Sequence, residues 1–330
     1  MIGEVLKLAQ DIPIVERPYA YIAQMLGIRE QDVLNSLRKA KEEKIIRQIS
    51  PIYDTKSIGY QSALVAFRVK PEKVEEVANF INTHPGVSHN YERTGYFNLW
   101  ITLAVPPDAP LNLEETVRIF AQMAEDYAIL RTKRVFKIGV KLGYDSVEER
   151  EDGITAYNSS FQITEDDRII IRLTQDEFPI VERPFSLYAE KLGMDEAFLL
   201  ERFKKMNDGG VLRRIGAILY HRKAGYTANG MSVWRVEEED RLDALGRLLA
   251  SYKGVSHCYE RIPHPPNWPY NLYAMIHGKS KEEVDGLVER VSKESGIKDY
   301  QILYSTREFK KTRVRYFTEE IYRWYDKYAR

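Results

Sequence analysis

Two stretches of the chain, VSHNYER at 87–93 and VSHCYER at 255–261, carry the same chemistry at alternate positions. His89, Tyr91 and Arg93 in the first are matched by His257, Tyr259 and Arg261 in the second, at an offset of 257 − 89 = 168. Alternate residues of a β-strand share a face. Each stretch, read as a strand, therefore presents an imidazole, a phenol and a guanidinium in a row, which is no hydrophobic core. Ser88, Asn90 and Glu92, and likewise Ser256, Cys258 and Glu260, are expected on the opposite face. Arginine grips a carboxylate through two parallel N–H bonds. Tyrosine and tryptophan give flat apolar walls with a polar edge. Histidine titrates near neutrality and can donate a proton or ligate iron. The set suits a large, flat, polyanionic ligand. A strand histidine is more often a hydrogen-bonded structural residue, and duplication copies structural residues too. It is the combination of groups that favours a ligand site.

The next strand adds Trp100 in the first half, and Tyr273 and His277 in the second. His277 has no counterpart, because the position 277 − 173 = 104 is Ala104. Between Arg261 and Tyr270 the insertion IPHPPNWP brings His264, Asn267 and Trp268, stiffened by prolines. Other signatures are missing. There is no CxxC, HExxH, P-loop or strand-to-helix GxGxxG, no serine or cysteine in a recognisable triad context, and no i, i+4 histidine pair. No metal site is expected.

These residues sit in a repeat that spans the chain. PIVERPY at 13–19 recurs as PIVERPF at 179–185, an offset of 166, and Asn98-Leu99-Trp100 recurs as Asn271-Leu272-Tyr273 at 173. A period this long is a duplicated multi-element unit and no solenoid. Each half opens with a helical trio. Thr164 and Asp167 form a capping box, Pro18 and Pro184 start second helices, Gly27 and Gly193 end them, and third helices cover 32–44 and 196–207. IIRQISPIYDTKSIGY and VLRRIGAILYHRKAGY read as short hairpins, or wings. The trio and wing make a winged helix-turn-helix. Then follow a strand (62–69; 230–236), an apolar-striped helix (72–84; 241–252), the shared phrase, a strand (96–105; 270–278), a helix (113–127; 281–294) and a last strand (129–140; 300–311). That βαββαβ order predicts an α+β, ferredoxin-like domain. The expected divisions are 1–60 and 163–226 for the winged helix-turn-helix domains, 61–145 and 227–316 for the ferredoxin-like domains, 146–162 for a polar linker and 317–330 for a terminal helix.

Composition narrows the function. Lys+Arg and Asp+Glu each number 49 in 330 residues, with 44% hydrophobic residues. A nucleic-acid or membrane-surface binder usually shows a basic excess. The lone Cys258 fits a reducing cytoplasm, no run approaches a membrane span, and the N-terminus shows no signal peptide.

A winged helix-turn-helix followed by βαββαβ resembles the Lrp/AsnC regulators, and each half is covered almost completely. The charges speak against DNA binding. Residues 29–44 carry five basic and four acidic side chains, and residues 194–210 carry three and four, with Asp195 and Glu196 at the presumed insertion end. GVSHNYER with FNLW, GVSHCYER with PNWPYNLYAMIHG, and the PIVERP elements resemble the siroheme decarboxylase family, in its fused form. That resemblance implies removal of carbon dioxide from the C12 and C18 acetates of siroheme, giving 12,18-didecarboxysiroheme on a route to haem d1 or haem. It implies catalytic roles for His89, His257 and His277, and substrate contacts for Tyr91, Arg93, Trp100, Tyr259, Arg261, His264, Trp268, Tyr270 and Asn271. It implies no cofactor beyond the substrate's own iron, and no nucleic-acid or membrane partner; a homodimer is compatible, since Lrp-like sheets commonly associate. Within the site a histidine can act as general acid, anchor a carboxylate or approach the iron. The second half is the better equipped. A tetrapyrrole-responsive regulator and an amino-acid sensor remain alternative readings.

Overall fold

Proline and glycine punctuate the helices as the sequence predicts. The computed structural model describes residues 2–138, 161–219 and 227–329. In the first half α1 (Ile2–Leu8) leads to α2 (Pro18–Leu26), which starts on its proline and ends at Gly27, whose φ of +64° is left-handed. α3 (Glu30–Glu42) completes the trio. Then come β1 (Ile46–Tyr53), β2 (Gln61–Arg68), α4 (Val74–Asn82), β3 (Val87–Arg93), β4 (Leu99–Val105), α5 (Leu113–Ala121), β5 (Asp126–Leu130) and β6 (Thr132–Ile138). The second half repeats the pattern with α6 (Glu165–Thr174), α7 (Pro184–Leu192), α8 (Glu196–Asp208), β7 (Leu212–Leu219), β8 (Ala228–Trp234), α9 (Glu239–Ser251), β9 (Val255–Arg261), β10 (Leu272–Gly278), α10 (Lys281–Ser295) and β11 (Tyr300–Lys311). α11 (Glu319–Tyr328) closes the chain. The box at α6 is present: the Asp167 backbone N–H donates to Thr164 Oγ1 at 3.3 Å, and the Thr164 backbone N–H donates to the Asp167 carboxylate at 2.8 Å.

The two copies do not stand as separate units. One compact unit is drawn from 1–60, 157–222 and 315–319, the other from 61–156, 223–314 and 320–330. Like elements of both halves thus combine. The expected linker at 146–162 falls almost wholly outside the described residues.

In the first unit the wings differ from expectation. Each supplies one strand to the other, β1 pairing antiparallel with β7 with Pro51 opposite Ile215, instead of folding into its own hairpin. A single strand leaves a row of unpaired N–H and C=O groups, and the second copy offers the matching edge. The PIVERP arginines have a structural use here. Arg17 pairs with Glu30 and Arg183 with Glu196, so each fixes the start of its third helix.

In the second unit the strand order is β5-β2-β4-β3-β11-β8-β10-β9-β6, every pair antiparallel. The last strands are shared between halves. β5 pairs with β2 of its own copy, while β6 pairs with β9 of the other. β11 does the same in one run, its start on β8 and its end on β3. The expected single strand at 129–140 is therefore broken at Arg131, where the chain changes partner, and the preceding helix stops at Ala121. Helices cover one face. α4, α5 and α11 bury Val65, Phe67, Leu99, Ile101 and Leu103, and α9 and α10 bury Trp234, Leu272, Ala274 and Ile276. On the other face the two copies pack against each other, through Phe97, Trp100, Trp268, Tyr273 and Leu303. Trp100 and Trp268 meet edge-on at 5.4 Å. This aromatic layer lies on the helix-free face, where the repeated phrases point.

Candidate active site

His89, Tyr91 and Arg93 share the helix-free face of β3, and His257, Tyr259 and Arg261 that of β9, as alternation predicts. Opposite them on β4 and β10 stand Trp100 beside Tyr91, and Tyr273 beside Tyr259. Each imidazole stacks on its own tyrosine, His89 on Tyr91 at 6.2 Å and His257 on Tyr259 at 6.0 Å. A charge on His89 would lower His257, so the two copies' imidazoles lie within electrostatic reach of each other.

The serines depart from expectation. Val87 faces Leu103 while His89 faces Thr102, and His257 faces Met275 while Val255 faces Ile276. One residue of each strand, Ser88 or Ser256, is thus a β-bulge, which turns the side chain off the regular alternation. Ser88 Oγ lies 2.9 Å from His89 Nδ1, and Ser256 Oγ lies 2.9 Å from His257 Nδ1. The second copy goes further: Ser256 Oγ also lies 2.8 Å from His277 Nε2. The position of His277 is held in the first copy by Ala104. Ala104 N–H donates to Gly86 O at 2.9 Å, and His277 N–H to Gly254 O at 2.9 Å.

The shared last strands make the two ends unlike. Glu308 faces Tyr91 and Lys311 faces His89, whereas Val135 faces Tyr259 and Ile138 faces His257. Tyr91 OH donates to Glu308 Oε2 at 3.1 Å. Across the strand pair His89 is therefore flanked by a lysine and His257 by an isoleucine. Burial, followed by the charges of His277, His89, Arg261 and Lys137, pushes His257 down to about 4. Burial, then Lys311, also lowers His89. Both rings are neutral near pH 7. His89, His257 and His277 are half-buried, and Glu308 and Lys311 are exposed, so this end reaches solvent.

The two arginines are the most telling groups. Arg93 is 5% exposed, with Nη1 donating to Leu303 O at 3.4 Å and Cζ 5.2 Å from the Tyr91 ring centre. Arg261 Nη1 donates to Leu130 O and Thr132 Oγ1, both at 3.0 Å, and its Cζ stands 4.7 Å from the Tyr259 ring and 5.6 Å from Tyr273. Its Nε is buried without a hydrogen-bond partner. Among the described residues, neither guanidinium has a carboxylate partner. Burial pushes Arg93 down to about 10 and lowers Arg261 as well.

Other expected contacts are placed elsewhere. Asn271 spends its amide on the backbone, accepting from Val236 N–H at 3.0 Å and donating to Val236 O at 2.8 Å, as Asn98 does with Val69. It clips two chain segments together and has no reach to the imidazole face. Trp268 is 1% exposed, its Nε1 donating to Tyr273 OH at 2.9 Å. Trp100 donates to Phe97 O at 2.8 Å. Tyr270 is buried against Trp268 at 4.9 Å. These three, with Tyr273, form one packed aromatic cluster. His264 is exposed and tied through its backbone to Trp268, so it stands apart from the other imidazoles. Clefts of about 260 and 340 Å³ lie elsewhere, lined around Lys204 and Arg214 and around Arg235 and Lys298, and neither includes a candidate residue.

Comparison with known proteins follows the same division. A family model described as an AsnC-like ligand-binding domain matches residues 57–137 and 223–310, and one described as a siroheme decarboxylase NirDL-like HTH domain matches 4–47 and 167–213. A siroheme decarboxylase of Hydrogenobacter thermophilus is 51% identical over 98% of this chain and 96% of its own. The crystal structure of the siroheme decarboxylase NirDL superposes with a TM-score of 0.85 at 45% identity, covering 99% of this chain and 98% of that one. A crystal structure of the siroheme decarboxylase NirDL in co-complex with an iron-uroporphyrin III analogue gives 0.84 at 44% identity, with coverage of 99% and 98%. With its duplicated AsnC-like fold and both sequence-matched domains, this chain belongs to the siroheme decarboxylase family.

Proposed function

We propose that this chain is a siroheme decarboxylase, a carboxy-lyase that removes carbon dioxide from the C12 and C18 acetates and gives 12,18-didecarboxysiroheme. One observation carries the reading at the level of the site: the buried Arg93 and the half-buried Arg261, neither with a carboxylate partner among the described residues, share a face with three imidazoles. A buried charge is costly unless paired, and a macrocycle bearing carboxylates supplies the missing partners. Arg93 and Arg261 bind carboxylates, with Lys311 at the charged end. The apolar pair Val135 and Ile138 leaves an acetate near His257 poorly solvated, which favours loss of its charge as carbon dioxide. The electron pair left on the methylene spreads into the conjugated ring, and an imidazole delivers the proton. The iron belongs to the substrate, and the reaction draws on no further cofactor.

The regulator reading is not favoured. α8 opens with Asp195, whose carboxylate caps Phe198 N–H at 3.1 Å, followed by Glu196, and such an end repels phosphate. We therefore propose no nucleic-acid partner. Among the described residues no helix is long and apolar enough to cross a membrane, and we place the protein in the cytoplasm. Anaerobic incubation with siroheme, read by mass spectrometry, is expected to show loss of two carbon dioxide units. A substrate mass unchanged after prolonged incubation overturns the assignment.

A further inference from the structure

The bridge between His257 and His277 has a consequence for proton supply. Each decarboxylation consumes a proton, since the methylene becomes a methyl group. A hydroxyl has one proton to give. With Ser256 Oγ at 2.9 Å from His257 Nδ1 and 2.8 Å from His277 Nε2, it can donate to one ring while accepting from the other. The arrangement is confined to one copy. Ser88 makes the same contact with His89, but Ala104 replaces the second imidazole. The bulge that aims Ser256 exists in both copies, and only the copy with the apolar flank, Val135 and Ile138, has the full chain of three groups.

We propose that Ser256 is a positioning residue that links His277 to His257 as a directed proton relay; this rests on the decarboxylase reading above. Ser256 donates to His257 Nδ1, which leaves the proton of that ring on Nε2, and His277 Nε2–H donates to Ser256. When the bond between the acetate methylene and its carboxyl breaks, carbon dioxide leaves and the electron pair stays on the methylene. The Nε2 proton of His257 forms the new C–H bond. His257 Nδ1 takes the hydroxyl proton, Ser256 takes that of His277 Nε2, and the half-buried His277 recovers one from solvent. No step requires a lasting imidazolium at His257, which agrees with the neutral ring that burial and its cationic neighbours enforce.

Two measurements test the relay. In the ligand-free protein, ¹⁵N imidazole spectra of wild type and Ser256→Ala report the bridge without turnover. The variant is expected to move the ring signals of both His257 and His277, and an unmoved His277 signal overturns the relay. In turnover with siroheme, Ser256→Ala is expected to lower kcat on the order of 10²-fold with little change in KM, the lower end of what proton transfer by a placed group contributes. Ser256→Thr restores most of the rate, and the proton inventory changes from bowed in wild type to linear in Ser256→Ala. Ser88→Ala loses less and keeps the bowed inventory. Equal losses in the two serine variants with an unchanged inventory overturn the relay. Wild-type protein that never decarboxylates siroheme overturns the underlying reading instead, and the ligand-free spectra still report on the bridge.

Discussion

Arg93→Met separates a ligand-binding arginine from a structural one. In the ligand-free chain the guanidinium is buried, bonded to one carbonyl at 3.4 Å and placed over one ring at 5.2 Å. Burial holds it near 10, against an ordinary 12.5. A base whose folded pKa lies below its unfolded one carries its charge at a cost at every pH below the folded value. At about 1.4 kcal/mol per pH unit, that cost is on the order of 3 kcal/mol. The cation–π contact returns about 1–2 kcal/mol. Methionine keeps the unbranched stem and drops the charge. Apo stability should therefore hold or rise by about 1–2 kcal/mol, a Tm at most about 8 °C higher at 2–4 °C per kcal/mol. Siroheme binding should move the other way. A charge-assisted contact to a carboxylate contributes about 1.5–3 kcal/mol, so affinity falls about 10- to 150-fold. Calorimetric melting of the ligand-free protein and siroheme titration of the same preparation check both signs. A melting point lowered by many degrees with siroheme affinity intact would show that Arg93 holds the fold together, and the reasoning fails.

Other perturbations follow from the same geometry. His257→Ala should abolish turnover while leaving the melting curve near wild type, and retained turnover removes that imidazole from the mechanism. His257 is held near 4, below its ordinary 6.5, so the unfolded chain binds more protons between those values. Stability is then complete above pH 6.5 and falls as pH drops from 6.5 to 4. Denaturant titrations across that window should show a shallower decline for His257→Asn, and parallel declines would contradict it. Asn271→Ala removes two backbone clips on Val236, so it should cost about 2 kcal/mol of stability and leave KM for siroheme alone; a raised KM with unchanged stability would return Asn271 to the site.

Much of this was legible because both periodicities are local. Pro18, Gly27 and the Thr164–Asp167 box set helix ends from within a few residues, and alternation alone placed His89, Tyr91 and Arg93 on one face. Pairing choices were not local. Nothing in 129–140 announces that its end leaves β2 for β9 of the other copy, or that β1 pairs with β7. The same strand exchange brings Glu308 and Lys311 to one end and Val135 and Ile138 to the other, and no local pattern foretells it. Ser88 and Ser256 were missed because a bulge inverts the parity on which a face assignment rests. The type of Trp268 and Tyr270 suggests contacts to a flat ligand, but aromatic residues with reachable partners also make core, as the Trp268 bond to Tyr273 shows. Asn271 matched Asn98 in the repeat, and that match marked a structural clip shared by both copies.

Whether both histidine–tyrosine–arginine rows serve one tetrapyrrole site is read by anaerobic titration of the chain with siroheme, followed in the visible absorption of the macrocycle. Wild type is expected to saturate at one siroheme per chain, with affinity reduced by either Arg93→Met or Arg261→Met and lost in the double variant. Saturation at two per chain, with each substitution weakening only half of the binding, would contradict it.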